Sequence, residues 1–450
     1  MNKDQKGMTC ASWKITRPAF ALALLCLFGP VVPTRAQGQK SGLRLVIILS
    51  RHGVRSPIEE NPPISEYASS SWPAWDVPPG YLTPHGKKLM ELLGAYYRAY
   101  YSKQGILPEE GCPPPHEVWL RADNEQRTIE SAIGLAAGLA PGCNIKVHSL
   151  PEGQPDPLFK PFKAKLGIPD PSLARDAVLG RIGANPNALL DATRPALDTL
   201  QSVLRCCSAS VCESELHRSH CTLLDLPQSV SSENPYGRIR LSGPISAGAT
   251  AAQDLLLEYA EGMPIHKVGW GRVTPKSLLQ ILQILSVDFD LVHRTPYLAR
   301  TRGSNLLGHI LWTMEQAAGE KDVHGALGNP QSKLVVIAGH DTNIANIGGM
   351  LQLSWLLPGF QMNETPPGGA LVFELWQDVS QRNYSVRTYY VSQTLYQMRD
   401  AARLSLTAPP GRADIFIPGC SSTGSGYPCS FEKFREAVTS AIDPQFMARR

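Results

Sequence analysis

A chain of 450 residues exceeds one small domain, and 43% hydrophobic against 18% charged residues is a globular composition with ample material for a core. The formal net charge is +4, with both signs spread along the chain. No long basic block of the kind that binds nucleic acid or anionic lipid occurs, so any attraction for an anion is expected to be local, inside a cleft.

Residues 1–36 read as an export signal. Lys3, Lys6, Lys14 and Arg17 give a positive start, an apolar run extends from Ala19 to Val32, and Thr34-Arg35-Ala36 precedes a cut near Gln37. The run is short for a membrane span. The mature protein is therefore expected to be periplasmic or secreted, with no membrane contact. Of ten cysteines, Cys10 and Cys26 leave with the signal, and the even number left suits an oxidising compartment. Cys112 and Cys143, Cys212 and Cys221, and Cys420 and Cys429 form three candidate bridges, with Cys206 and Cys207 left over. Zinc is the competing reading. No two-residue cysteine spacing recurs and no histidine cluster accompanies the cysteines, so no metal is expected.

Leu43 to Leu49 is a short, β-branched apolar run that reads as a buried strand of a parallel sheet. It runs directly into Ser50-Arg51-His52-Gly53. Thr83 suits an N-cap and Pro84 the first turn of a helix bearing Leu89, Leu92, Leu93 and Tyr96 at helical spacing. Glu117 to Ala122 reads as a second strand, and Asp123 or Asn124 as the cap of a helix carrying Arg127 in its first turn. From about Gly167 to Asp290 helical periods dominate, interrupted by the cysteine-rich loop. Lys333 to Ala338 is a third buried strand, running into Gly339-His340-Asp341. Strands alternating with helices predict an α/β fold with a mostly parallel sheet flanked by helices. Residues 37–166 and 291–450 would form that lobe, and 167–290 an inserted, mainly α-helical one. Three polar clusters follow the C-terminal ends of three strands, the edge where open α/β sheets place ligands.

The run from Arg51 to Pro57 flanks one imidazole with two guanidiniums. Arg51 and Arg55 can fork onto phosphoryl oxygens, and Gly53 allows close backbone approach. A neutral His52 is a competent nucleophile toward phosphorus. At the distal cluster, His340 can donate to a phosphoryl oxygen and Asp341 can protonate a leaving alkoxide. A carboxyl beside a bound phosphate is expected to have a raised pKa. Arg127 gains meaning only as a further positive group.

These residues carry a resemblance. Arg51 to Pro57 matches the RHGxRxP signature of histidine acid phosphatases, and Gly339 to Thr342 their distal His-Asp motif. Trp72-Pro73-Ala74-Trp75, Pro155 to Phe159, Gly269 to Arg272, Arg294-Thr295-Pro296 and Thr365 to Gly369 resemble the bacterial periplasmic branch, which includes acid phosphatase/phytases and glucose-1-phosphatases. The resemblance implies small phosphorylated substrates, hydrolysis of phosphate monoesters at acidic pH, no cofactor and a monomer. It makes His52 the phosphorylated nucleophile and Asp341 the proton donor. Arg51, Arg55, Arg127 and His340 would bind the phosphoryl group, and Arg302 would face substrate from the helical lobe. The three cysteine pairs match bridges of that branch; Cys206 and Cys207 do not. Phytases of the branch continue the signature with Thr-Lys, where Ile58-Glu59 stands here, so a broad acid phosphatase with weakened phytate preference is expected. The competing readings are an exported phosphate-ester binding protein without turnover and a mutase-like phosphotransferase.

Overall fold

A computed structural model describes residues 41–58, 64–232, 239–319, 321–378 and 383–448. The signal segment and Glu59 lie outside them. The strands are β1 Ser41–Arg51, β2 Val118–Ala122, β3 Val147–His148, β4 Ser229–Ser232, β5 Ile239–Ser242, β6 Leu334–Gly339, β7 Ala370–Asp378, β8 Asn383–Ser392, β9 Gly411–Ile415 and β10 Cys429–Ser430. The main sheet runs β10-β8-β7-β1-β6-β2-β3, with β9 also paired to β8. Its site-bearing strands β1, β6, β2 and β3 pair in parallel. The β7–β8 hairpin joins β1 antiparallel.

The strands form for the reason their composition suggests. Leu45 to Leu49 and Leu334 to Ala338 are wholly buried, so neither face alternates. Each such side chain contributes about 1.5–3 kcal/mol on leaving water. The helices that cover the sheet include α1 Pro84–Lys103 and α2 Gln126–Leu139. Thr83 caps α1, accepting the Gly86 N–H at 2.8 Å, as its position predicts.

The middle of the chain contributes α3 Pro171–Gly180, α4 Asn187–Leu204, α5 Ala209–Leu216, α6 Pro244–Ala260 and α7 Pro275–His293. These pack round an apolar core of their own, containing Leu197, Leu200, Leu255, Ile281 and Leu282, with the β4–β5 hairpin at its edge. Then α8 Pro296–Gly319 and α9 Asp341–Met350 return to the sheet, burying Leu306, Leu307, Ile310, Ile344 and Ile347 with Leu45 and Ile47. No helix among the described residues is long and apolar enough to cross a membrane. Bridges join Cys112 to Cys143, Cys212 to Cys221 and Cys420 to Cys429, as the spacing suggests; Cys206 and Cys207 pair with each other.

Candidate active site

The parallel register sets Arg51 beside Gly339, and Ala122 beside Ala338. The next residues of each strand therefore leave the sheet side by side: His52, His340 and Asp123. The turn after β1 is fixed by backbone bonds from His52 N–H to Gly339 O (3.0 Å) and from Gly368 N–H to His52 O (2.9 Å). Thr365 to Gly369 thus braces the strand end. Gly53 is required by packing, because a Cβ there would lie 2.8 Å from the Gly86 carbonyl oxygen of α1.

His52 is 2% exposed. Its Nδ1 lies 2.8 Å from the Gly53 carbonyl oxygen. That carbonyl can only accept, so Nδ1 carries the proton and Nε2 keeps its lone pair. The ring sits 5.7 Å, centroid to centroid, from His340. Its pKa falls well below the ordinary histidine value, first through burial and then through Arg51, Arg127, Arg55 and His340. The imidazole is thus held neutral.

The guanidiniums crowd the same space. Arg51, 2% exposed, donates to Thr365 O (2.6 Å) and Gln253 Oε1 (3.1 Å), and its Nη2 lies 3.0 Å from Asp341 Oδ2. Arg55 donates to Ser56 O at 2.8 Å. Burial, and then repulsion by Arg51 and Arg127, push Arg55 down to about 10. Arg127 reaches Gly80 O at 3.3 Å and pairs with Glu125. Among the described residues, the buried Nε–H groups of Arg51, Arg55 and Arg127 have no hydrogen-bond partner. Orphaned donors on mutually repelling cations suit a multiply charged oxyanion.

Burial raises the Asp341 pKa, but Arg51, His340, Arg55 and His293 outweigh that and hold it below the usual carboxylate range. The expected rise concerned phosphate; the protein's own cations act the other way. His340 donates through Nε2 toward Asp123 Oδ2 at 2.6 Å. Asp123 and Asn124 do not cap α2, since Glu125 stands at the N-cap.

Arg55 and Asp341 open onto a cavity of about 1200 Å³ that Gln253, Asp254, Lys160 and Arg302, among others, also line. Arg302 lies on its wall, 3.0 Å from Val292 O and over the Phe162 ring at 5.8 Å. The arginines that chiefly act on His52 are Arg51, Arg127 and Arg55. The structure thus gathers Arg51, His52, Arg55, Arg127, His340 and Asp341, and sets Arg302 in the wall of the cavity that Arg55 and Asp341 also line.

The model of the histidine phosphatase superfamily (branch 2) matches residues 42–235 and 248–391. The chain belongs to this family. Phytase AppA of Escherichia coli (strain K12) is 36% identical over 435 residues, 95% of this chain and 99% of that protein. The glucose-1-phosphatase of Salmonella typhimurium is 30% identical over 428 residues, 94% and 98% of the two chains. Among solved structures, Hafnia alvei phytase in complex with tartrate superposes with a TM-score of 0.84 at 37% identity, covering 91% of this chain and 99% of that one.

This branch 2 histidine phosphatase also places at the cleft residues that sequence reasoning missed. Gln253 and Asp254 come from α6, and Lys160 from the segment after Phe159. Lys160 pairs with Asp123 (2.8 Å) and with Glu125. Asp123, Glu125 and His340 bring potential ligand atoms within 4.8 Å of one another. The Lys160 ammonium already lies against both carboxylates, so the protein's own cation serves that cluster. A polar residue after a strand end was the available signal for Asp123. None marked Gln253.

Proposed function

We propose that the cleft hydrolyses phosphate monoesters through a phosphohistidine on His52. The observation that carries this reading is a neutral imidazole with a free Nε2 lone pair, set among the guanidiniums of Arg51, Arg55 and Arg127, whose charges act on it. The phosphoryl group lies on Arg51, Arg55, Arg127 and His340. Nε2 forms a bond to phosphorus as the ester P–O bond breaks, and the departing oxygen takes its electron pair and the Asp341 proton. Water then attacks phosphorus, gives a proton to the Asp341 carboxylate, and the N–P bond breaks to restore His52 and free phosphate. The anionic substrate itself prepares the acid. It engages Arg51 and Arg55, which otherwise hold Asp341 ionised, and adds negative charge beside it.

The substrate range is broad. The cavity exceeds a single phosphoryl group and carries Lys160, Lys163, Lys165 and Arg302 on its walls, which supports polyphosphorylated as well as small esters. The half-exposed Ile58 also lines it, giving no hydrogen bond to a distal phosphate. The relatives' names, phytase and glucose-1-phosphatase, bracket this range. The protein acts as an exported monomer.

The test is a pulse of radiolabelled substrate stopped in denaturing alkali. Label on His52 in the wild type, and neither label nor turnover in His52→Ala, is the expected result. Full turnover by His52→Ala overturns the mechanism, and tight binding without turnover by the wild type makes the protein a binding protein.

A further inference from the structure

Asp123 is completely buried, yet its carboxylate does not cap the helix beside it. Its backbone is secured independently: the N–H donates to Ala338 O (3.0 Å) and the carbonyl accepts from Thr128 Oγ1 (2.7 Å). One carboxylate oxygen accepts the Asn124 N–H at 2.8 Å. The other faces His340 Nε2 at 2.6 Å and Lys160 Nζ at 2.8 Å. Burial alone raises the Asp123 pKa; the His340 hydrogen bond and charge, and then Lys160, outweigh it and keep the group ionised.

From this geometry we infer that Asp123 is a positioning residue: it holds His340 through Nε2–H, fixing the ring's orientation and leaving Nδ1 as the nitrogen that serves the phosphoryl group. The inference rests on the phosphatase reading above. An ionised carboxylate can only accept, so the Nε2 proton is committed to it. Nδ1 can then donate to a phosphoryl oxygen only when the ring carries a second proton. The buried carboxylate behind the ring pairs with the positive charge that the second proton brings.

Lys160 completes the arrangement. It bridges Asp123 to Glu125, and Glu125 in turn pairs with Arg127. His340 and Arg127, two proposed ligands of the phosphoryl group, are therefore anchored by carboxylates two residues apart on the β2–α2 connection, with one ammonium tying both together. Asp123, Glu125, His52 and Asp341 are titratable groups close enough to feel the His340 charge, with Lys160 behind the first two. Asp123 is the one among them bonded to the ring.

The test compares wild type with Asp123→Asn, which keeps the volume and a neutral acceptor. Turnover of p-nitrophenyl phosphate across pH and inhibition by inorganic phosphate are measured per folded molecule, with melting followed alongside. Histidine nitrogen resonances are recorded with and without inorganic phosphate. The expected result is a loss in kcat/KM of about 10- to 100-fold, a weaker inhibition constant for phosphate, and an alkaline limb displaced to lower pH. The wild-type spectrum should show a protonated His340 Nε2 and a second ring proton in the phosphate complex. A folded Asp123→Asn with unchanged profile and inhibition constant overturns the inference, as does a phosphate complex in which Nε2 of His340 is unprotonated. Should Asp123→Asn fail to fold, the wild-type spectrum alone decides. A wild type that binds phosphate with the expected spectrum but never turns over refutes the phosphatase reading and leaves the positioning role standing.

Discussion

Asp341 Oδ2 lies 3.0 Å from Nη2 of Arg51, and Arg51 is in turn held by Thr365 and Gln253. The proposed acid is thus tethered to the proposed phosphate clamp. Asp341→Asn keeps the shape but removes the proton. Esters of poor leaving groups, such as glycerol phosphate, should lose about 10²- to 10⁴-fold in kcat/KM. p-Nitrophenyl phosphate, whose leaving group barely needs protonation, should lose far less. Parallel steady-state kinetics on the two esters check this, and equal losses would reduce Asp341 to a positioning role.

The His52 environment sets the acidic limb of the rate profile. A histidine whose pKa is lowered stays neutral as pH falls through the ordinary value of about 6.5. The nucleophile is therefore still competent well into the acidic range. Arg127 is one of the cations responsible. Arg127→Gln should move the acidic limb upward in pH while also lowering kcat/KM. Profiles on one substrate, compared between variant and wild type, remove the contribution of substrate ionisation.

Arg302 stands on the cavity wall, whereas the arginines that chiefly act on His52 are Arg51, Arg127 and Arg55. Arg302→Ala should therefore spare p-nitrophenyl phosphate to within about 3-fold, because the scissile phosphoryl group keeps its clamp. A polyphosphorylated inositol should lose roughly 1–3 kcal/mol of charged contact, about 5- to 150-fold, mainly in KM. Matched losses on both substrates would place Arg302 in the clamp itself.

The bridge between Cys112 and Cys143 spans 31 residues from the end of α1 past α2. On the chain-entropy argument it contributes about 3–4 kcal/mol. Replacing both cysteines by serine should lower the melting temperature by several degrees and leave kcat at 25 °C near wild type, since neither residue approaches the cleft. Thermal unfolding with and without reductant measures it.

Much of the site was legible because its residues follow strand ends directly. Arg51, His52, His340 and Asp341 each sit where a fully apolar run stops, and a run of that kind announces both a buried strand and the edge where its successors emerge. Gln253 was not legible. It lies within α6, where almost every position is buried, so no polar face distinguishes it. Its contact with Arg51 spans 202 residues of chain. In the sequence Asp123 or Asn124 reads as a cap because such residues before a helix usually are; the helix begins later, and the Asp123 side chain turns to His340 instead. The β7–β8 hairpin was equally hidden, since Ala370 to Leu375 are buried without alternation and carry no turn signal toward β1.

The parallel pairing of β1 with β6, Arg51 against Gly339, joins two strands that have α1 to α8 between them in the chain. Such a contact is among the most distant the molecule makes, and distant contacts form late and slowly. A register slip by one residue would carry His52 and His340 to opposite faces. Enzymatic activity in this protein is consequently a gauge of completed folding. Collapse of the helices round their own core leaves it silent, and it switches on only when the first and sixth strands have met in the correct alignment.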